Sequence, residues 1–174
     1  EKFVQVGSIC AYPYLPPNIP FIEEDIWKGY PEATNAPYGI AKKALLTMLQ
    51  AYRQQYGFNG IYLIPVNLMG PHDNFDLHTS HVIPALIRKI VTAKRENKPF
   101  IEVWGTGTAS REFLYVEDCV EALILAFEKY DKQEPINIGS GEEITIKQLV
   151  KLIAKLCDYK GDFIWDITKP DGQP

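Results

Sequence analysis

Residues 35–66 read NAPYGIAKKALLTMLQAYRQQYGFNGIYLIPV, and two consecutive elements are written in them. The first is a helix from about Pro37 to Tyr56. Proline suits a first helical turn because its missing N–H would be unpaired there anyway; Asn35 or Ala36 starts the helix and Gly57 stops it. Ile40, Ala44, Leu45, Met48, Leu49 and Tyr52 recur at helical spacing and are expected to form its apolar stripe. The second element is Gly60–Val66, an apolar run of strand length bounded by glycine on one side and by Asn67-Leu68-Met69-Gly70-Pro71 on the other.

On the N-terminal side, Phe3–Gly7 reads as a short buried strand, Ser8–Pro20 as a proline-rich loop, and Glu23–Pro37 as a polar, turn-rich stretch. On the C-terminal side, a helix is expected over Ser80–Glu96, with Pro84 tolerated in its first turns. Short strands at Ile101–Trp104 and Glu112–Tyr115 flank the turn Gly105-Thr106-Gly107-Thr108, as a β-turn-β. Then come a helix over Val116–Lys129, a strand over Pro135–Ile138, a helix over Ile146–Cys157 and a strand over Asp162–Asp166. Strands alternating with helices imply βαβ units and a mainly parallel sheet, so the fold class is α/β.

Composition narrows the function classes. The sequence has 174 residues, 46% of them hydrophobic and 23% charged, with a net charge of −4. An acidic chain of this kind has no basic field for gripping a phosphate backbone, so no nucleic-acid partner is expected. Cys10, Cys119 and Cys157 are few, odd in number and widely spread, which fits a reducing compartment, the cytoplasm, better than a disulfide framework. No apolar run approaches the roughly 18 residues of a membrane span, and the first residues lack the pattern of a signal peptide. The immediate entry into a strand, without an initiating methionine, and the turn-forming Lys169-Pro170-Asp171-Gly172-Gln173-Pro174 read as part of a longer chain. His72, His78 and His81, with Asp73 and Asp76, match no zinc spacing, and no metal site is expected.

Tyr38 and Lys42 stand at i and i+4, on one face of the helix's first turn. Reduction of a carbonyl needs a proton donor beside it as hydride arrives. A phenol of ordinary pKa about 10 is a poor acid or base at neutral pH, and an adjacent positive charge eases loss of its proton. Lys42 supplies that charge and has the reach to hold the ribose of a nicotinamide cofactor. Upstream, Val6-Gly7-Ser8 ends a strand with a hydroxyl, where open α/β sheets place ligand-binding groups. Ser8, Tyr38 and Lys42 therefore make a candidate carbonyl-reducing set.

These residues resemble the extended short-chain dehydrogenase/reductases (the NAD-dependent epimerase/dehydratase family). Further blocks narrow the resemblance to the GDP-L-fucose synthase subgroup: Thr34 to Lys42, Asn67-Leu68-Met69-Gly70-Pro71-His72-Asp73-Asn74-Phe75, Ser80-His81-Val82-Ile83-Pro84-Ala85-Leu86, Val103 to Thr108, and Arg111-Glu112-Phe113-Leu114. The resemblance implies a Rossmann-like parallel sheet, present as its C-terminal portion with the N-terminal βαβ units absent, and a smaller mixed α/β substrate domain. Residues 1–70 are expected to belong to the dinucleotide-binding domain. Residues 71–174 fall mainly in the substrate domain, with some elements returning to the first.

The implied reaction is NADPH-dependent 3,5-epimerisation and 4-reduction of GDP-4-keto-6-deoxy-mannose to GDP-L-fucose. Hydrogens on carbons beside a ketone are acidic, and inversion needs a base on one face of the sugar and an acid on the other. The resemblance assigns these roles to Cys10 and His81. A thiol of pKa about 8.5 and an imidazole of about 6.5 bracket neutral pH, as such partners should. From the residues alone, Cys10 reads more readily as a small buried hydrophobe than as a catalyst, and His81 as readily as a surface histidine at a helix start.

The Gly-rich dinucleotide fingerprint is missing from the sequence; Gly105-x-Gly107 and Gly139-x-Gly141 do not open a phosphate-binding helix. Tyr38, Lys42 and Pro65-Val66-Asn67-Leu68 remain for the nicotinamide side of NADP(H), or of NAD(H). The resemblance adds Val6, Gly7, Ser8, Ile9 and His81. For the nucleotide sugar it implies Lys89, Trp104, Arg111 and Asp171. Arg111 offers a fork of donors to a diphosphate, or an ion pair to Glu112 or Glu117; Trp104 offers a flat face to a ring, or a core side chain. Met69, where tyrosine is usual, and Lys89, in place of arginine, depart from the pattern and bear on the fit to the sugar. A homodimer is implied because the Tyr-Lys helix pairs across a dimer in this superfamily. The other readings are a different nucleotide-sugar epimerase or dehydratase, and a non-catalytic fragment or dimerisation module. A simple 4-epimerase needs neither Cys10 nor His81, and a dehydratase needs an acidic pair that does not follow Ser8.

Overall fold

The structure is a computed structural model and describes residues 1–77 and 79–169. Its elements, in order, are β1 (Phe3–Val6), α1 (Ala36–Tyr56), β2 (Gly60–Pro65), β3 (Asn67–Met69), α2 (Val82–Arg95), β4 (Phe100–Trp104), β5 (Ser110–Tyr115), α3 (Val116–Lys129), β6 (Ile136–Ile138), β7 (Glu143–Thr145), α4 (Ile146–Leu156) and β8 (Asp162–Asp166). Two short 3₁₀ turns, Ile9–Ala11 and Glu23–Trp27, lie between β1 and α1. The chain divides into two compact units, Glu1–Leu68 with Glu112–Gly141, and Met69–Arg111 with Glu142–Pro174.

The first unit holds a parallel sheet in the order β1-β2-β6. β2 pairs Val4 with Ile61 and Val6 with Leu63 on one side, and Leu63 with Ile136 and Pro65 with Ile138 on the other. All six of its residues are buried, as a central parallel strand requires. Alternation along β2 sends side chains to opposite faces. Tyr62 and Ile64 pack with Leu46 and Leu49 of α1 and with Ala11, Tyr12 and Ile26. Ile61 and Leu63 pack with Ala126 and Leu123 of α3. A helix thus covers each face.

α1 begins after Asn35, carries Pro37 in its first turn and ends at Gly57, whose φ of 64° is the left-handed cap that glycine adopts without penalty. The expected apolar stripe is corrected. Of its members only Leu49 is buried; Ile40, Ala44, Leu45, Met48 and Tyr52 are exposed, Met48 at 53% and Tyr52 at 51%. The sheet instead receives Ala36, Gly39, Lys43, Leu46 and Leu49. The helix has two faces of apolar character, and the small residues decide which lies inward: a Cβ on Gly39 would stand 2.3 Å from the Cys10 carbonyl oxygen. Lys43 is tolerated inside because its ammonium donates to the Gly29 carbonyl at 2.9 Å.

β1 also differs from expectation. Phe3 and Val6 are exposed, at 46% and 36%, and among the described residues β1 pairs with β2 alone.

In the second unit β4 pairs in parallel with β8, from Phe100 with Asp162 to Trp104 with Asp166. β4 alternates exposed and buried, with Ile101 and Val103 inward. α2 buries Ile83, Leu86, Ile90 and Ala93, and α4 buries Leu149, Val150, Ile153 and Ala154. A capping box between Thr145 and Gln148 starts α4. The expected β-turn-β between β4 and β5 is overturned, since β4's partner is β8. Gly105 and Gly107 do adopt the positive φ that favours glycine, at 79° and 76°, and a Cβ on Gly107 would fall 2.5 Å from the Trp165 ring.

Candidate functional site

β1 and β2 run parallel, so their carboxyl ends, Val6 and Pro65, open on the same edge of the sheet. Past Val6 the chain passes through Gly7 into Ser8, which is extended and caps the first 3₁₀ turn: its Oγ accepts from the Cys10 N–H at 3.2 Å. A serine hydroxyl that accepts one bond still has its proton to give. Cys10 is half-buried in that turn and unbonded to another cysteine.

The first turn of α1 closes directly on this segment, with Gly39 against the Cys10 carbonyl. On either side of Gly39 stand Tyr38, 50% exposed, and Lys42. The Lys42 ammonium donates to the Val6 carbonyl at 2.9 Å and lies 5.4 Å from the centre of the Tyr38 ring. The structure therefore places the Tyr38–Lys42 turn against the Val6–Cys10 turn.

Tyr62, the third residue of β2, supports this junction. Its hydroxyl donates to the Lys42 backbone carbonyl at 2.8 Å, and its ring fills the space beside Gly7, where a Cβ would lie 2.3 Å from Cε1. Burial pushes the Tyr62 phenol above the usual tyrosine range, with a smaller push from the Tyr38 phenol. Tyr62 was not foreseen. Its contact with Lys42 joins a strand to a helix, and in sequence it is one more residue of an apolar run.

At the end of β2, Pro65 is buried, the Val66 N–H donates to the Ile138 carbonyl at 3.0 Å, and the Asn67 amide donates to the Glu112 carbonyl at 2.9 Å. Leu68 is exposed. The segment after Cys10 is tied to β6. The Tyr12 hydroxyl donates to Asn137 Oδ1 at 2.8 Å, Asn137 Nδ2 donates to the Phe21 carbonyl at 3.1 Å, and the Asn137 N–H donates to Glu23 Oε1 at 2.8 Å.

His81, Lys89, Trp104 and Arg111 belong to the second unit. His81 is the exposed N-cap of α2, where its carbonyl accepts from the Ala85 N–H and its side chain makes no capping bond. Lys89 donates to the Glu102 carbonyl at 3.2 Å and lies 5.4 Å from the Trp104 ring centre. Trp104 is 57% exposed, which answers the core alternative. A second ammonium, Lys169, approaches the same ring at 5.5 Å and was not foreseen, because it follows β8 far along the chain. Arg111 is half-buried and donates to the Ser110 carbonyl at 2.6 Å. Asp171 and His78 lie outside the described residues.

Residues 1–139 match the model of the NAD dependent epimerase/dehydratase family. The chain belongs to that family. It is 47% identical over all 174 of its residues to a GDP-L-fucose synthase of Sinorhizobium fredii (strain NBRC 101917 / NGR234), covering 55% of that relative. It is 43% identical to the GDP-L-fucose synthase of Escherichia coli (strain K12), covering 100% of this chain and 57% of the relative. Among solved structures, a GDP-L-fucose synthetase from Naegleria fowleri bound to NADP superposes with a TM-score of 0.91 at 30% identity, over 99% of this chain and 55% of that one. The chain thus spans about half the length of these relatives, and its Rossmann-like α/β fold is the family's.

The donor set at the ends of β1 and β2 suits the nicotinamide side of a dinucleotide. Lys42 is held on the Val6 carbonyl, Ser8 caps the turn and Tyr38 stands beside Lys42 in the first turn of α1, near the strand ends where parallel sheets bind such ligands.

Proposed function

We propose that the protein carrying this chain converts GDP-4-keto-6-deoxy-mannose to GDP-L-fucose by 3,5-epimerisation and NADPH-dependent 4-reduction. The observation that carries this reading is the 47% identity over the whole chain to a relative of that name, together with Tyr38 and Lys42 packed against the turn that holds Ser8 and Cys10. The cofactor, when bound, supplies the hydride to C4 of the sugar. Tyr38 gives a proton to the C4 oxygen as that carbon is reduced, and the Ser8 hydroxyl donates to the same oxygen. The Lys42 ammonium favours the phenolate left behind and offers further N–H groups to the ribose. Cys10 and His81 exchange protons at the two carbons beside the ketone, one on each face. Lys89, Trp104, Arg111 and Asp171 hold the nucleotide and its diphosphate.

In this reading the first unit holds the nicotinamide side and the second the nucleotide sugar. The exposed face of α1, with Ile40, Met48 and Tyr52, pairs with the same face of a second copy. The cytoplasm is the proposed location, supported by free cysteines at three separate places; among the described residues no helix is long and apolar enough to cross a membrane. The test is to incubate full-length protein with GDP-4-keto-6-deoxy-mannose and NADPH, following absorbance at 340 nm and the stereochemistry of the product. Oxidation of NADPH with formation of GDP-L-fucose is expected. No oxidation sinks the reductase assignment, and a sugar of other configuration transfers the protein to another branch of the family.

A further inference from the structure

Asn137 lies on β6, two strands from the Cys10 turn, yet its side chain and its N–H hydrogen-bond to the segment that follows Cys10. It takes the Tyr12 hydroxyl, gives its amide to Phe21 and gives its N–H to Glu23. Ile136 and Ile138 face the cluster beneath α3, so Asn137 is the residue of β6 turned the other way. Tyr12 is 1% exposed, stacks on Phe21 at 4.7 Å and closes the 3₁₀ turn by donating its N–H to the Ile9 carbonyl at 3.0 Å. Cys10 sits inside that closed turn. Tyr12 is buried and Asn137 and Glu23 are half-buried, and hydrogen bonds linked in this way favour one geometry; cutting one leaves its partner unpaired.

We propose that Asn137, with Tyr12 and Glu23, is a positioning set that aims the Cys10 thiol for proton transfer at the sugar carbons beside the ketone. This rests on the reaction proposed above. Tyr38 and Lys42 are carried by α1 and are tied to Val6 and Tyr62 rather than hydrogen-bonded to Asn137, Tyr12 or Glu23, so the proton delivered to the C4 oxygen depends on this set less than proton transfer by Cys10 does. The two halves of the reaction should therefore separate when it is cut.

Two rates in the full-length protein test this. Epimerisation is read as deuterium entry into GDP-4-keto-6-deoxy-mannose in D2O without reductant. Reduction is read as NADPH oxidation on the same ketone pre-equilibrated between epimers by wild-type protein. A displacement of the thiol by a fraction of an ångström to one ångström costs about ten- to a hundredfold. Asn137→Ala should slow deuterium entry by about tenfold or more and leave reduction within about threefold. Tyr12→Phe removes a single hydroxyl and should show the same split more weakly. Glu23→Gln keeps the oxygen that accepts the Asn137 N–H and should retain wild-type exchange, whereas Glu23→Ala should lose it. Equal loss of both rates in Tyr12→Phe and Asn137→Ala, or exchange unchanged in both, overturns the positioning role while the enzyme assignment stands. A wild-type protein that performs neither half overturns both.

Discussion

Lys42 is held from both ends, its ammonium on the Val6 carbonyl and its own backbone carbonyl under the Tyr62 hydroxyl. A flexible four-carbon side chain is thereby confined to one side of the Tyr38 ring. In the proposed reaction Tyr38 is the proton donor, and a positioned general acid contributes about 10²- to 10⁴-fold. Tyr38→Phe should lower kcat for NADPH oxidation by about that factor while KM changes little, as measured by steady-state kinetics. The i, i+4 spacing of Tyr38 and Lys42 was legible because a helix brings such residues together from local geometry alone. Ser8 was legible as the polar residue ending a strand. Tyr62, Asn137 and Lys169 were not, since each acts across a distance in sequence that only the folded sheet or the end of β8 closes.

α1 shows how far an element can be read without its surroundings. Its ends were visible in Pro37 and Gly57, and its existence in the apolar period. Which side faces the sheet was not, because periodicity gives spacing and both faces carry apolar residues. Gly39 against Cys10 and Leu46 against the sheet decide it. Leu46→Ala should therefore cost about 2–5 kcal/mol in urea unfolding, as expected for a fully buried leucine. Met48→Glu, on the outward face, should leave the fold intact and convert the proposed dimer to monomer in sedimentation equilibrium. The strands β4 and β5 teach the opposite lesson. Two short runs around a glycine turn look like a hairpin, and nothing local in them announces that β4 is completed by residues 162–166.

At the scale of the whole molecule, alternation of strand and helix was enough for the α/β class, and the order β1-β2-β6 was not, since parallel pairing leaves no turn between neighbours to read. Two buried phenols in the first unit make a pH prediction. Burial raises Tyr12, an effect partly offset by its bond to Asn137 and added to by Glu23, and burial raises Tyr62. The unfolded chain ionises these groups near pH 10, where the folded chain still keeps their protons. Their contribution is fully present below about pH 10 and is lost as pH climbs toward the raised folded values, by up to about 1.4 kcal/mol per pH unit for each phenol. Urea midpoints from pH 8 to 11 should fall at the alkaline end, and less steeply in the Tyr12→Phe, Tyr62→Phe double variant. The division of the chain has a last consequence, in the time order of synthesis. β2 meets β6 only after about seventy further residues, most of them belonging to the other unit, which at 5–20 residues per second is roughly 4–15 s of translation. For most of that interval Ile61 and Leu63 have β1 at one side but neither α3 over their face nor β6 at the other side, so the buried central strand of the finished unit waits half-covered on the ribosome.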